Sequence, residues 1–178
     1  MKRHVVLLRG INVGGANLLP MKELVALLEE LGCEDVRTYV QSGNAVLRHG
    51  AAPAALAKRI RAAIEDAKGF APEVLVLSRA QLAAAAAANP FPEGEDEPSR
   101  LFLYFTAAKP KNPDLAALEA LRAADERFEL VGGVLYLHAP SGIGRSKLGA
   151  RVEKALGVAC SARNWRTVQK LLELSAEA

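Results

Sequence analysis

The chain is short of the residues that most enzyme classes depend on: two cysteines, three histidines and 5% aromatics. Cys33 and Cys160 lie too far apart to form a metal-type or redox pair. His4, His49 and His138 have no neighbour at metal-ligand spacing, which argues against a metal or cofactor site of familiar type. Ser42 lacks the Gly-x-Ser-x-Gly elbow of the hydrolases, and no general base stands out; Glu23 is merely near the first Gly-rich corner. No apolar run reaches membrane-spanning length, and residues 1–9 hold too short a one for a secretory leader. The expectation is a cytoplasmic protein with reduced thiols and no membrane association.

What is present fits a folded globular chain: 178 residues, 51% hydrophobic and 24% charged, enough for one ordinary domain or two small ones. The net charge of +3 is unevenly spread. Residues 141–178 carry seven basic and three acidic side chains, a net +4, so the remainder sums to −1. A basic C-terminal quarter favours an acidic ligand or partner, although Arg151, Lys154 and Lys170 read simply as a solvated helix face.

Apolar periodicity gives the order strand, helix, strand, strand, helix, strand twice over. In the first half, Val5–Leu8 is a strand, and Pro20 opens a helix carrying Met21, Leu24, Val25, Leu28 and Leu31 that Gly32 stops. Val36–Gln41 and Asn44–Arg48 are strands joined by a two-residue turn at Ser42-Gly43. A helix over 53–68 ends at Gly69, and Glu73–Leu77 closes the half. Ser78-Arg-Ala-Gln81 is a capping box for an Ala-rich helix that ends near Asn89-Pro90, and 91–99 reads as an exposed link. In the second half, Arg100–Ala107 is a strand and Asn112-Pro113 caps a helix. Phe128–Val131 and Val134–Ala139 flank a Gly132-Gly133 turn. A helix spans about 146–156, Ala159–Arg163 is a weak strand, and a last helix opens at Asn164. The reading is an α+β fold of two tandem ferredoxin-like plaits (split β-α-β) with a linker helix and a C-terminal helix. Its expected parts are 1–78, a linker over 79–99, and 100–178.

This topology gathers the polar motifs at sheet edges. In the first half, the end of strand 1 and the hairpin between strands 2 and 3 share an edge, which collects Arg9, Asn12, Gly14, Gly15, Gln41, Ser42 and Asn44. In the second half, the opposite edge joins Gly142, Gly144, Arg145, Ser146 and Lys147 to Arg163, Asn164 and Trp165. Glycines allow close backbone approach, a helix start offers unpaired N–H groups, and arginine grips phosphate or carboxylate through two bonds. Neither corner has Walker or dinucleotide spacing, since Lys147 stands where the third glycine of Gly-x-Gly-x-x-Gly belongs. Most of these residues also have an ordinary structural use: turn glycines, amides that satisfy a hairpin, Asn164 as a helix cap, Trp165 as an anchor. Arg9, ending an apolar strand beside three glycines, has no obvious structural duty.

The strings Leu7-Leu-Arg-Gly-Ile-Asn-Val-Gly-Gly15, Pro20-Met21, Tyr39-x-Gln-Ser-Gly-Asn44, Asn89-Pro90-Phe91, Gly142-Ile-Gly-Arg-Ser-Lys147 and Arg163-Asn-Trp-x-Thr167 carry a resemblance. In their order and spacing the chain resembles the bacterial family called domain of unknown function 1697, from near residue 5 to near residue 172. The resemblance implies no reaction, substrate or catalytic residue; it implies that the two halves act as one unit.

The leading functional expectation is therefore binding of an anionic small molecule or nucleotide through the two corners. A nucleic-acid module is the alternative, with Phe102, Tyr104 and Tyr136 on strands and Trp165 as stacking groups. An enzyme on a small phosphorylated or carboxylated substrate is a third reading. A structural protein with open sheet faces forming a dimer is a fourth.

Overall fold

The computed structural model describes residues 1–176. Its first sheet contains β1 (Lys2–Arg9), β2 (Glu34–Tyr39), β3 (Asn44–His49) and β4 (Glu73–Ser78). Helix α1 (Met21–Glu30) connects β1 to β2, and α2 (Pro53–Lys68) connects β3 to β4. After β4 comes α3 (Arg79–Ala87). The second sheet contains β5 (Leu101–Thr106), β6 (Arg127–Val131), β7 (Val134–His138) and β8 (Cys160–Asn164). Here α4 (Leu115–Leu121) connects β5 to β6, α5 (Val152–Leu156) connects β7 to β8, and α6 (Trp165–Ala176) follows. The strand orders are β2-β3-β1-β4 and β6-β7-β5-β8, with every neighbouring pair antiparallel. The fold is α+β, with two four-stranded antiparallel sheets.

The chain divides into two compact units, Met1–Ala84 with the C-terminal residues from Gln169, and Ala85–Val168. The division falls inside α3 and α6 and not in the 91–99 segment; the last two residues of the expected 100–178 part lie outside the described residues.

Periodicity and stop signals explain the regular elements. In α2, Leu56, Ile60 and Ile64 recur every four residues and are fully buried, and Gly69 ends the helix in the left-handed conformation at φ 81°. They meet Leu24 and Leu28 of α1 and the residues Val6, Leu8, Ala45, Leu47 and Val76 on one face of the first sheet. Burying one such aliphatic side chain is worth about 2 kcal/mol, so this face is what holds both helices to the sheet. In the second unit the equivalent core joins Leu118, Leu135, Leu137, Leu148, Val152 and Leu156. The capping box forms as expected: Ser78 N–H donates to Gln81 Oε1 at 2.8 Å, and Gln81 N–H to Ser78 Oγ at 3.1 Å. Gly132 and Gly133 both have positive φ, as a two-residue hairpin turn needs.

Five expectations change. The β2–β3 connection is a four-residue loop, because Tyr39 pairs with Asn44 and Val40 takes a positive φ of 52°. Helix α4 is capped by Asp114, whose Oδ1 accepts from Ala117 N–H, two residues past Asn112. No α-helix begins at Ser146; 3-10 turns at Ile143–Arg145 and Gly149–Arg151 precede α5. The 91–99 segment is not wholly exposed: Phe91 is buried beneath the Arg127 guanidinium, and Gly94 packs against His138 and Leu101. Nor does either sheet have an open face. Val5, Leu7 and Val46, and Leu101, Leu103, Phe105 and Tyr136, lie outside the helix-covered clusters yet are all buried.

Candidate functional site

The first corner is assembled around one asparagine. Asn12 sits at φ 54°, a left-handed geometry that asparagine tolerates better than most residues. Its Nδ2 donates to the carbonyls of Leu19 and Gln41, both at 2.9 Å, while its Oδ1 accepts from Leu19 N–H at 2.8 Å. One side chain thus ties the loop after β1 to the β2–β3 loop. Between Asn12 and Asn17 the backbone makes a small hairpin, with Gly14 and Gly15 at its tip in positive φ and Val13 bridged to Ala16. Asn17 Nδ2 closes its base on Gly10 O at 2.9 Å. The hairpin projects into solvent with Val13 and Leu18 exposed, and Val40 is exposed on the adjoining loop.

Gly43 shows why the second loop has its sequence. At φ 93°, its would-be Cβ falls 2.7 Å from Leu8 Cβ and 2.8 Å from Ile11 Cδ1, and its carbonyl accepts from Leu8 N–H at 2.8 Å. Asn44 is fully buried, and its Nδ2 donates to Tyr39 O and Ser42 Oγ. Asn12, Gly43 and Asn44 are therefore the frame of the corner, while Arg9, Gln41 and Ser42 are exposed on it. Glu23 faces a different neighbour, accepting from Lys68 Nζ at 2.6 Å.

The second corner has a different character. Ala139 N–H donates to Arg100 O at 2.9 Å, which fixes the chain leaving β7 beside the start of β5, and Gly142 N–H closes a turn on Ala139 O. Gly142 has φ 100° and ψ 148°, a combination only glycine adopts readily, and the Arg100 guanidinium occupies the place where a Cβ would project. Phe102 pairs with Asn164, so the end of β8 reaches the same edge, and Arg166 N–H donates to Pro98 O at 3.4 Å. The edge thus collects Arg100, Arg145, Lys147 and Arg166. None of the four forms an ion pair among the described residues. Arg145, Lys147 and Arg166 are exposed and Arg100 is half-buried.

Other expected members of this corner face inward. Ser146 is buried, donates through Oγ to Glu126 Oε2 and accepts from Gly149 N–H at 2.9 Å. Glu126 is itself buried and also accepts from Ala123 N–H. Arg163 is buried, and desolvation lowers its guanidinium to about 10 while Nη1 donates to Ala162 O. Asn164 caps α6 by accepting from Thr167 N–H at 3.0 Å. Trp165 is 4% exposed, and its Nε1–H has no partner among the described residues. Arg100 and Arg166 had no sequence signal beyond charge; they join the corner through strand register. Gly144 is exposed in the 3-10 turn beside Arg145.

The aromatics proposed to stack bases are also inside. Tyr136 is fully buried and donates its hydroxyl to Ala85 O at 2.5 Å, and Tyr104 and Phe102 belong to the helix-covered core. Burial raises the Tyr136 phenol to about 12 and pushes Tyr104 higher still. Tyr104 and Tyr136 offer no ring face to a base, and Phe102 is half-buried. Among the described residues no group of three metal-ligating side chains occurs, and no helix is long and apolar enough to cross a membrane.

Comparison with known proteins bears on fold and family. No curated protein matches the chain. A solved structure of a conserved bacterial protein from Streptococcus pneumoniae superposes with a TM-score of 0.77 at 24% identity, covering 97% of this chain and 98% of that one. That likeness is one of fold. The family model described as "Protein of unknown function (DUF1697)" matches residues 1–136, a span that includes the first corner and stops before Gly142. On that match, the chain belongs to the DUF1697 family of proteins of unknown function.

Proposed function

We propose that the protein binds a phosphorylated or otherwise anionic ligand, with the charge held at the second corner by Arg100, Arg145, Lys147 and Arg166. The observation that carries this reading is four cations at one sheet edge, none in an ion pair among the described residues. Some basic side chains elsewhere are neutralised by a partner, as Arg3 is by Asp35, Lys68 by Glu23 and Arg122 by Glu119; what sets this edge apart is that four cations gather there. Gly142 lets the Arg100 guanidinium close onto the turn, and Gly144, with open space where a Cβ would project, leaves the backbone there accessible to an anion. On this reading Arg9, Gln41 and Ser42 form a polar surface of the first unit, framed by Asn12, Gly14, Gly15 and Asn44. Each unit is taken as a split β-α-β plait of the ferredoxin-like kind, and the shared strand permutation supports an internal duplication. Two free, buried cysteines suit a reducing, cytoplasmic setting.

The test is a thermal-shift screen against inorganic phosphate, pyrophosphate, mononucleotides and sugar phosphates. A ligand at about a hundredfold its dissociation constant adds roughly 2.7 kcal/mol to the unit that binds it. The expected result is a shift that Arg145→Ala and Lys147→Ala each weaken by about fivefold in affinity, the loss of one exposed charge contact. No shift with any anion, or a shift indifferent to both substitutions, removes the proposal.

A further inference from the structure

A second concavity in the unit Ala85–Val168 lies away from the basic edge, between α4 and α5. Asp114 N–H donates to Ala155 O at 2.8 Å and so pins the start of α4 against α5. Beside that tie the two elements line a groove of about 450 Å³. Half-buried Ala117, Leu121 and Ala155 and exposed Ala120 line it. Three alanines at these positions leave the space open that larger side chains would fill. Arg151 and Lys154, three residues apart, stand at its rim together with Asp114. Both cations are exposed, and neither forms an ion pair among the described residues. The Asp114 carboxylate is occupied as the cap of α4, accepting from Ala117 N–H at 3.1 Å.

We infer that this groove binds a small amphiphile with one negative charge, a medium-chain carboxylate. The volume lies in the range of small-ligand sites. Apart from its three charged residues the lining is apolar, three alanines and a leucine, which suits an alkyl chain. Two rim cations set against one carboxylate leave a single net positive charge, which matches a monovalent head. In the bound state the alkyl chain lies along the alanines of α4 and α5, and the carboxylate reaches Arg151 and Lys154. The site is independent of the anion-binding edge, which uses none of these residues.

The test is calorimetric titration of the full chain with hexanoate, octanoate, decanoate and the uncharged decanol, below their aggregation concentrations. Affinity rises with chain length, by up to about fourfold for each added methylene that is buried. Decanol binds at least tenfold more weakly than decanoate. The pair Arg151→Glu with Lys154→Glu costs tenfold or more, and Ala120→Trp, placed at an exposed position so that the core is untouched, abolishes binding. Arg145→Ala leaves decanoate affinity unchanged. Circular dichroism of each variant shows that the fold persists. Absence of saturable decanoate binding, or binding that survives both Ala120→Trp and the double charge reversal, overturns the inference.

Discussion

Replacing Asn12 by alanine removes the piece that joins the two loops of the first corner, and its cost follows from the bonds that its side chain makes. Two of the three side-chain bonds reach the N–H and carbonyl of Leu19, a residue with no solvent exposure. Losing a partner of a buried backbone group costs about 1–1.5 kcal/mol. The third bond, to the exposed Gln41 carbonyl, is worth about 0.5 kcal/mol because water replaces it. Holding alanine at φ 54° adds about 1 kcal/mol. The sum is about 4 kcal/mol, felt by the first unit. With a urea dependence near 2 kcal/mol/M, the midpoint of that unit falls by about 2 M. Asn12→Asp keeps the acceptor for Leu19 N–H and the tolerance of positive φ but loses both donated bonds, so it loses about half as much. Urea titration followed by far-ultraviolet circular dichroism, with amide exchange at Leu8 and Leu19 as a local probe, reads both variants. A loss below about 1 kcal/mol in Asn12→Ala refutes the reasoning, because the loops would then be held by other contacts.

Gly43→Ala combines a positive φ with the near contacts at Leu8 and Ile11, so it destabilises by about 2–4 kcal/mol, whereas Gly14→Ala, with open space around it, costs only about 1 kcal/mol of backbone strain; thermal denaturation of the two variants checks the ranking. Acidification destabilises the fold through two buried histidines. Desolvation first, then the charges of His49 and Lys2, hold His4 below its ordinary 6.5, and desolvation followed by Arg127 does the same to His138 against the opposing pull of Glu97 and Asp125. Between the lowered value and 6.5 the unfolded chain binds more protons, so stability is complete above pH 6.5 and declines below it. The urea midpoint therefore drops from pH 7 to pH 5, and His4→Asn flattens part of that drop; a midpoint constant over this range contradicts the assignment.

The parts legible in the sequence are those fixed by local chemistry. The bounds of α2 followed from Pro53, its apolar spacing and Gly69; the β6–β7 turn from Gly132-Gly133; the start of α3 from a capping box. The misreadings share a different cause. Val40 takes a positive φ that no β-branched residue signals, and it does so because Gly43 and Asn44 anchor the loop to Leu8 and Tyr39 across the sheet. Ser146 reads as a helix start, but its hydroxyl turns to Glu126, twenty positions away, and the helix is delayed to Val152. The aromatic strand β5 reads as an exposed platform only while nothing is known of what buries its rings. The candidate site follows the same rule. Arg145 and Lys147 stood in a visible motif, whereas Arg100 joins them through the register of β5 with β7 and the bare backbone of Gly142.

Amide chemical-shift mapping during titration of the protein with pyrophosphate tests the central claim most directly. Saturable shifts concentrated at Gly142, Gly144, Arg145, Lys147 and Arg166, weakened by raised salt and lost in Arg145→Ala with Lys147→Ala, are the predicted result. An unresponsive spectrum, or shifts confined to other parts of the chain, would contradict it.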